Sequence, residues 1–262
     1  MNDPHVETVE YRLVPDESLR FNSPPLEHET DAFKLRLQCD VLTVWLKDHY
    51  ASEDDAKEAV DSYLEIWAVY EALESRRRRK IRFDYRGAKI VDRDPSSHDN
   101  GVRRTVRTSL GLLWSTTEAV ETRGDYPQPP RNFALSPDVA TMWERYEGYL
   151  KGREPLLSMA YFCLTVLEGS ARKLPGKGKN RAKALRTYAI QNKVLDTLGS
   201  LTANLGDAET ARKAGGKGRP PTRSKSAWIE QCIRALIRRA GEHAADPQKD
   251  FPKLTMEDLP KL

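Results

Sequence analysis

Apolar and polar residues alternate from Phe33 to Val41: Phe33, Leu35, Leu37, Cys39 and Val41 fall on one side, Lys34, Arg36, Gln38 and Asp40 on the other. A period of two belongs to a strand that buries one face. Residues 6–13 carry a weaker version of the pattern. From Ser52 the spacing lengthens. Ala56, Val60, Tyr63, Trp67 and Tyr70 recur at three and four residues, Ala59, Ile66 and Leu73 widen the stripe, and Ser52 with Asp55 fits a capping box at its start. Ile81, Phe83 and Tyr85, then Ala88 and Ile90 beyond Arg86-Gly87, predict a hairpin. Residues 107–122 hold enough Thr, Val and Leu for one or two further strands.

Beyond residue 124 the pattern changes again. Three prolines within residues 127–130 and the flanking Gly124 continue neither a helix nor a central strand, so a linker is expected at 126–132. After it every periodic segment is helical. Ser136-Pro137-Asp138 reads as an N-cap, a first-turn proline and a dipole-matching acid, opening a helix through Met142, Tyr146 and Leu150. Pro155 opens the next, apolar on nearly all sides from Leu156 to Leu167, therefore central, and expected to end at Gly169. A helix through Tyr188, Val194, Leu198, Leu201 and Leu205 is expected to end at Gly206, and one from Trp228 to Ala240 at Gly241. The fold class is α+β: a mixed sheet and helix domain over 1–125, then an all-α bundle over 133–262.

With 262 residues and 39% hydrophobic positions the chain has enough apolar material for real cores. No apolar run approaches the roughly 20 residues of a membrane span. The N-terminus lacks the basic start and apolar stretch of a secretory signal, and three widely spaced cysteines, Cys39, Cys163 and Cys232, fit a reducing compartment, so a cytoplasmic location is expected. No membrane partner is expected.

The net charge of +4 hides a polarity. Residues 1–75 hold 18 Asp/Glu against 6 Lys/Arg, and the rest of the chain 21 against 37. Such a split marks either a half that faces nucleic acid or an acidic element packed on a basic one. Two C-terminal stretches carry cations and no acids. Residues 172–186 include Arg172, Lys173, Lys177, Lys179, Arg181 and Lys183; residues 212–225 include Arg212, Lys213, Lys217, Arg219, Arg223 and Lys225. Their glycines and prolines predict loops between helices. Cations on accessible segments meet backbone phosphates with salt-sensitive affinity, so the leading expectation is a binding protein for RNA, DNA or another polyanion rather than an enzyme. Neither stretch has an aromatic residue for base stacking. An interaction or scaffold protein, built on the all-round apolar helix and the aromatics of the first half, is a further alternative, with the basic loops as connectors or contacts to an acidic protein. Arg76 to Lys80, the densest basic run, is expected at a helix C-terminus, where the macrodipole alone accounts for it.

Arg238-Arg-Ala-Gly-Glu-His243, in the final helix, resembles the Arg-x4–6-His hallmark of HEPN-type helical domains, many of which cut RNA without metal. The resemblance covers at most the last 130 residues. It implies that Arg238 holds the scissile phosphate and that His243 acts as acid or base at the ribose hydroxyl, normally across a homodimer. Arg93-Asp-Pro-Ser-Ser-His98 has the same spacing, but Pro95 opposes a helix there. No phosphate-binding P-loop, zinc spacing or cofactor motif is present. Cys163 and Cys232 fall on apolar helix faces, where a buried thiol is the default. Asp92 and Asp94 read as a turn.

Overall fold

The structure is a computed structural model that describes residues 2–15, 19–21, 23–75, 81–94, 102–106, 122–174, 179–207 and 218–262. Among them the N-terminal pattern becomes strands β1 (Pro4–Pro15), β2 (Leu19–Phe21), β3 (Leu26–Glu29), β4 (Phe33–Gln38), β5 (Val41–Leu46), β6 (Ile81–Asp92), β7 (Val102–Val106) and β8 (Thr122–Gly124), with helix α1 (Glu53–Glu74) after β5. Six strands form one sheet in the order β3-β4-β5-β1-β6-β7, antiparallel throughout. β2 pairs with β8 in parallel.

Two departures from the expected strands share one cause. The alternation through Val41 is not a single strand: Cys39 and Asp40, at φ 50° and 60°, form a two-residue turn and β5 returns alongside β4. Positive φ at both turn residues suits the twist of a tight hairpin. Because Gln38 pairs with Val41 and Leu37 with Leu42, the buried set moves from odd to even numbers, and Leu42, Val44 and Leu46 point inward. Conversely, Arg86-Gly87 is not a hairpin but a bulge within β6. Glu10 opposes Gly87 and Tyr11 opposes Tyr85, leaving Arg86 unmatched across the ladder. An extra residue also reverses parity. A turn and a bulge thus leave the same trace in the period, and only the length of β1, which spans both halves of β6, separates them.

α1 covers one face of this sheet. Ala56, Val60, Leu64 and Trp67 join Val9, Tyr11, Leu35, Leu37 and Val44 in one core cluster. Fully burying such side chains contributes about 1.5–3 kcal/mol each. Ser52 caps the helix by accepting the Asp55 amide at 3.2 Å. Its last turn contains no basic residue and it stops at Ser75, so the run expected at its C-terminus, residues 76–80, lies outside the described residues. Residues 107–121, where further strands were expected, do too.

The chain divides into two compact units, residues 1–130 and 131–262. Within the expected linker, Tyr126 is buried in the first unit, its ring 5.4 Å from that of Phe21 and its amide donating to Ser23 Oγ at 3.1 Å. The second unit consists of α2 (Pro137–Leu150), α3 (Leu156–Lys173), α4 (Asn180–Thr187), α5 (Asn192–Asn204), α6 (Arg223–Ala245) and a closing 3-10 turn at Met256–Asp258. α3 touches all four other helices, as its all-round apolar sequence requires.

Four expectations are corrected in this unit. α3 runs past Gly169 to Lys173, and Tyr188 closes α4, with α5 starting only at Asn192. Residues 180–187 are helix rather than loop, because Asn180, Ala182, Ala184 and Leu185 follow the last glycine of that stretch without another breaker. Gly241 does not end α6, which continues through His243 to Ala245. A Cβ at position 241 would lie 2.1 Å from the Phe133 ring, and the Gly241 carbonyl accepts the Ala134 amide at 3.0 Å. The glycine serves close approach inside the helix, not termination.

Candidate functional site at the basic end of the helical unit

α6 begins against its own dipole. The Thr222 hydroxyl caps it by accepting the Lys225 amide, Arg223 and Lys225 occupy the first turn, and no acid is present there. The free amides of a helix start carry roughly half a positive charge, so each added cation costs about 0.3–1 kcal/mol in place of the gain an acid would bring. α5 ends nearby: the Gly206 amide donates to the Arg219 carbonyl at 2.9 Å, and a Cβ on Gly218 would stand 2.9 Å from the Asn204 carbonyl. This close backbone contact sets Arg219 beside the start of α6. No described carboxylate pairs with Arg219, Arg223 or Lys225. Arg219 and Arg223 are exposed and Lys225 is half-buried.

The first basic stretch is arranged differently. Lys173 reaches Asp138 at 3.2 Å, and Asp138 also accepts the Ser170 hydroxyl at 2.6 Å. Those hydrogen bonds, Ser170 first, hold the Asp138 carboxyl below its ordinary range. Arg181 bridges Glu168 at 2.7 Å and Asp196 at 3.0 Å, and Lys183 donates to the Leu174 carbonyl at 3.0 Å. Three of its cations therefore satisfy acids or carbonyls of the same unit, while Arg172 and Lys179 are exposed. Lys177, Arg212, Lys213 and Lys217 lie outside the described residues.

Arg238 and His243 occupy the far part of α6. Fifteen residues at 1.5 Å each put Arg238 about 22 Å along the helix from Arg223. Five residues at 100° each set Arg238 and His243 about 140° apart around it. Each has its own neighbour. Arg238 Nε donates to Glu242 at 2.9 Å, and the His243 ring meets Tyr188 edge-on at 5.3 Å between centroids. Burial holds the His243 imidazole below its ordinary value, so it is neutral at neutral pH. A neutral imidazole is competent as a base, but the structure does not bring the Arg238 guanidinium to it. His98, of the second Arg-x4-His match, lies outside the described residues.

Reading the apolar stripe of α6 missed two buried charges. Glu230 and Arg234, separated by one helical turn, sit among Trp228, Ile229, Cys232 and Ile233 with 9% and 6% exposure. Glu230 accepts the Tyr146 hydroxyl at 3.2 Å and the Tyr149 hydroxyl at 3.4 Å, one on each carboxylate oxygen. The available signal was a charged pair at i, i+4 falling on the inner side of the helical wheel. Among the remaining candidates, burial pushes the Cys163 thiol up to about 12 and the Cys232 thiol upward as well, which leaves both inert. Asp92 accepts backbone amides from Asn2, Asp3 and Asp94, which accounts for it as a turn anchor.

No group of three or more His, Cys, Asp or Glu among the described residues is placed to hold a metal ion, and no described helix is long and apolar enough to cross a membrane. In comparisons with known proteins, no family model, curated protein or solved structure matches the chain.

Proposed function

We propose that the helical unit binds a polyanion, RNA, DNA or another phosphate-rich chain, at the end where α6 begins. One observation carries the reading: Arg223 and Lys225 stand at a helix start that already bears positive charge, without a described carboxylate to neutralise them. A phosphate at that position accepts helix amides and cationic side chains together. Arg219 adds a third cation, and the sequence supplies Arg212, Lys213 and Lys217 to the same α5–α6 connection. Fluorescence anisotropy with a labelled mixed-sequence RNA and the matching DNA tests it. Binding should fall steeply between 50 and 200 mM salt for both, and Arg223→Ala with Lys225→Ala should flatten the salt slope by about 1.5–2. An unchanged slope contradicts the reading.

A HEPN-like ribonuclease is the second reading, supported by the continuous helix through Gly241 and by a His243 that stays neutral. The 140° between the two side chains means that a groove completed by a second copy has to unite them. Metal-independent RNA cleavage that Arg238→Ala and His243→Ala each abolish supports it; activity indifferent to both removes it. The scaffold reading has little to draw on, since the exposed large apolar side chains among the described residues are Trp45, Tyr161 and Leu262.

A further inference from the structure

α1 covers one face of the six-stranded sheet, and the register sets what stands on the other. Lys34 lies opposite Trp45, Trp45 opposite Thr8, and Thr8 opposite Lys89, so these four form one row across β4, β5, β1 and β6. Arg36, Thr43 and Glu10 follow in the next row on the same side, and Arg12 lies one row further, between Val41 and Asp84. None of these residues belongs to the core cluster. Thr8 is buried, but Trp45 beside it is 37% exposed, an indole of an inner strand left in contact with water. Trp45 has no hydrogen bond, ring contact or cation partner among the described residues. Neither the core nor the start of α6 makes use of it.

The two sides of this unit differ in charge. α1 holds eight Asp or Glu and one Lys along its length. The three rows hold Lys34, Arg36, Arg12 and Lys89 against Glu10 and Asp84, and Arg82 takes Asp84 at 3.0 Å. Two further carboxylates approach from the margins. Glu27 of the edge strand stands 3.8 Å from both Lys34 and Arg36, and Glu7, at the β1 irregularity, pairs with Lys89. Such exposed pairs are worth about 0–1 kcal/mol, so a phosphate can replace the carboxylate. Arg12 is exposed and has no partner among the described residues. A polyanion is therefore repelled from the α1 side and meets cations around Trp45 on the other. Single strands are held by cations together with aromatic platforms on which bases stack. A duplex keeps its base faces inside and gains nothing from the indole. One indole on a charged face is too little apolar surface for the core of a protein interface.

We infer that this outer sheet face binds single-stranded nucleic acid, with a base stacked on Trp45 and neighbouring phosphates at Lys34, Arg36 and Lys89. The inference rests on the polyanion reading for the class of ligand, and adds a contact surface on the other unit with a preference for unpaired bases. Fluorescence anisotropy tests it, with a labelled oligouridylate, an RNA duplex of the same length, and polyphosphate as a competitor that has no bases. Trp45→Ala should weaken the oligouridylate about tenfold and the duplex or polyphosphate less than about twofold, and Trp45→Phe should recover most of the loss. Arg223→Ala with Lys225→Ala should weaken all three ligands together. A parent that binds no single strand overturns the inference. So does oligouridylate affinity that Trp45→Ala leaves unchanged, or a loss that the duplex shares equally. A loss confined to the single strand upholds it even where the α6 substitutions change nothing, a result that removes the α6 site alone. Trp45 is exposed, and recovery by Trp45→Phe separates stacking from misfolding.

Discussion

α1 and α6, the long helices of the two units, begin in opposite ways. α1 places Glu53, Asp54 and Asp55 after its Ser52 cap; α6 places Arg223 and Lys225 after its Thr222 cap and has no acid in its first turn. The acids of α1 offset the positive helix start, so nothing outside the unit is needed to account for them. The cations of α6 add to it. α4 and α5 also start without an acid, with Arg181 and Lys193 in their second positions, but Arg181 is held by Glu168 and Asp196. Only where a locally unfavourable choice lacks internal compensation does it point outward, and among these helix starts α6 fits that description best.

The largest test separates the inner side of α6 from its start. Glu230→Ala leaves two tyrosine hydroxyls and the neighbourhood of Arg234 without the buried carboxylate, and should lower unfolding free energy by about 3 kcal/mol or more in urea titrations. On the proposed function, the fraction that remains folded should bind polyphosphate as the parent does. A smaller effect follows from Gly241→Ala. The added methyl meets Phe133 and forces ring or helix to shift, at about 1–3 kcal/mol. If that variant is as stable as the parent, the close approach of residue 133 to α6 is wrong.

Acid titration gives the smallest effect and reports on both units. Burial, then Arg93 and His49, keeps the His5 imidazole below its ordinary value, and burial does the same to His243. The unfolded chain takes up these protons before the folded one, so the stabilising difference is complete above about pH 6.5 and is lost as pH falls below it. Urea midpoints at pH 7.5 and 5.5 measure this loss. His5→Gln and His243→Gln should each make the dependence shallower, and a steeper dependence in either variant contradicts the burial account.

Much of this architecture was legible in the sequence because local signals and burial agreed. Ser52 and Ser136 cap the helices they were read to cap, and the all-round apolar α3 is the central helix of its unit. The failures came where one signal has two physical sources. Parity reversal marked a turn at Cys39-Asp40 and a bulge at Arg86-Gly87, and pattern alone assigned both incorrectly. Glycine signals either a helix end or a close contact, and at position 241 the partner, Phe133, lies 108 residues away in sequence. The candidate site was legible only as a list of cations. Which of them are neutralised depends on Asp138, Glu168 and Asp196, whose approach is set by helix packing and leaves no trace in the basic stretches themselves.

The proposed site implies that the start of α6 gives up stability in favour of an anion, and Arg223→Glu with Lys225→Glu probes this directly by giving α6 an acidic start like that of α1. Thermal melts are recorded for parent and variant with and without polyphosphate. Without polyphosphate the variant should be the more stable by about 1–2 kcal/mol, and polyphosphate should raise the melting temperature of the parent but not of the variant. A variant that melts at or below the parent and is still stabilised by polyphosphate contradicts the claim.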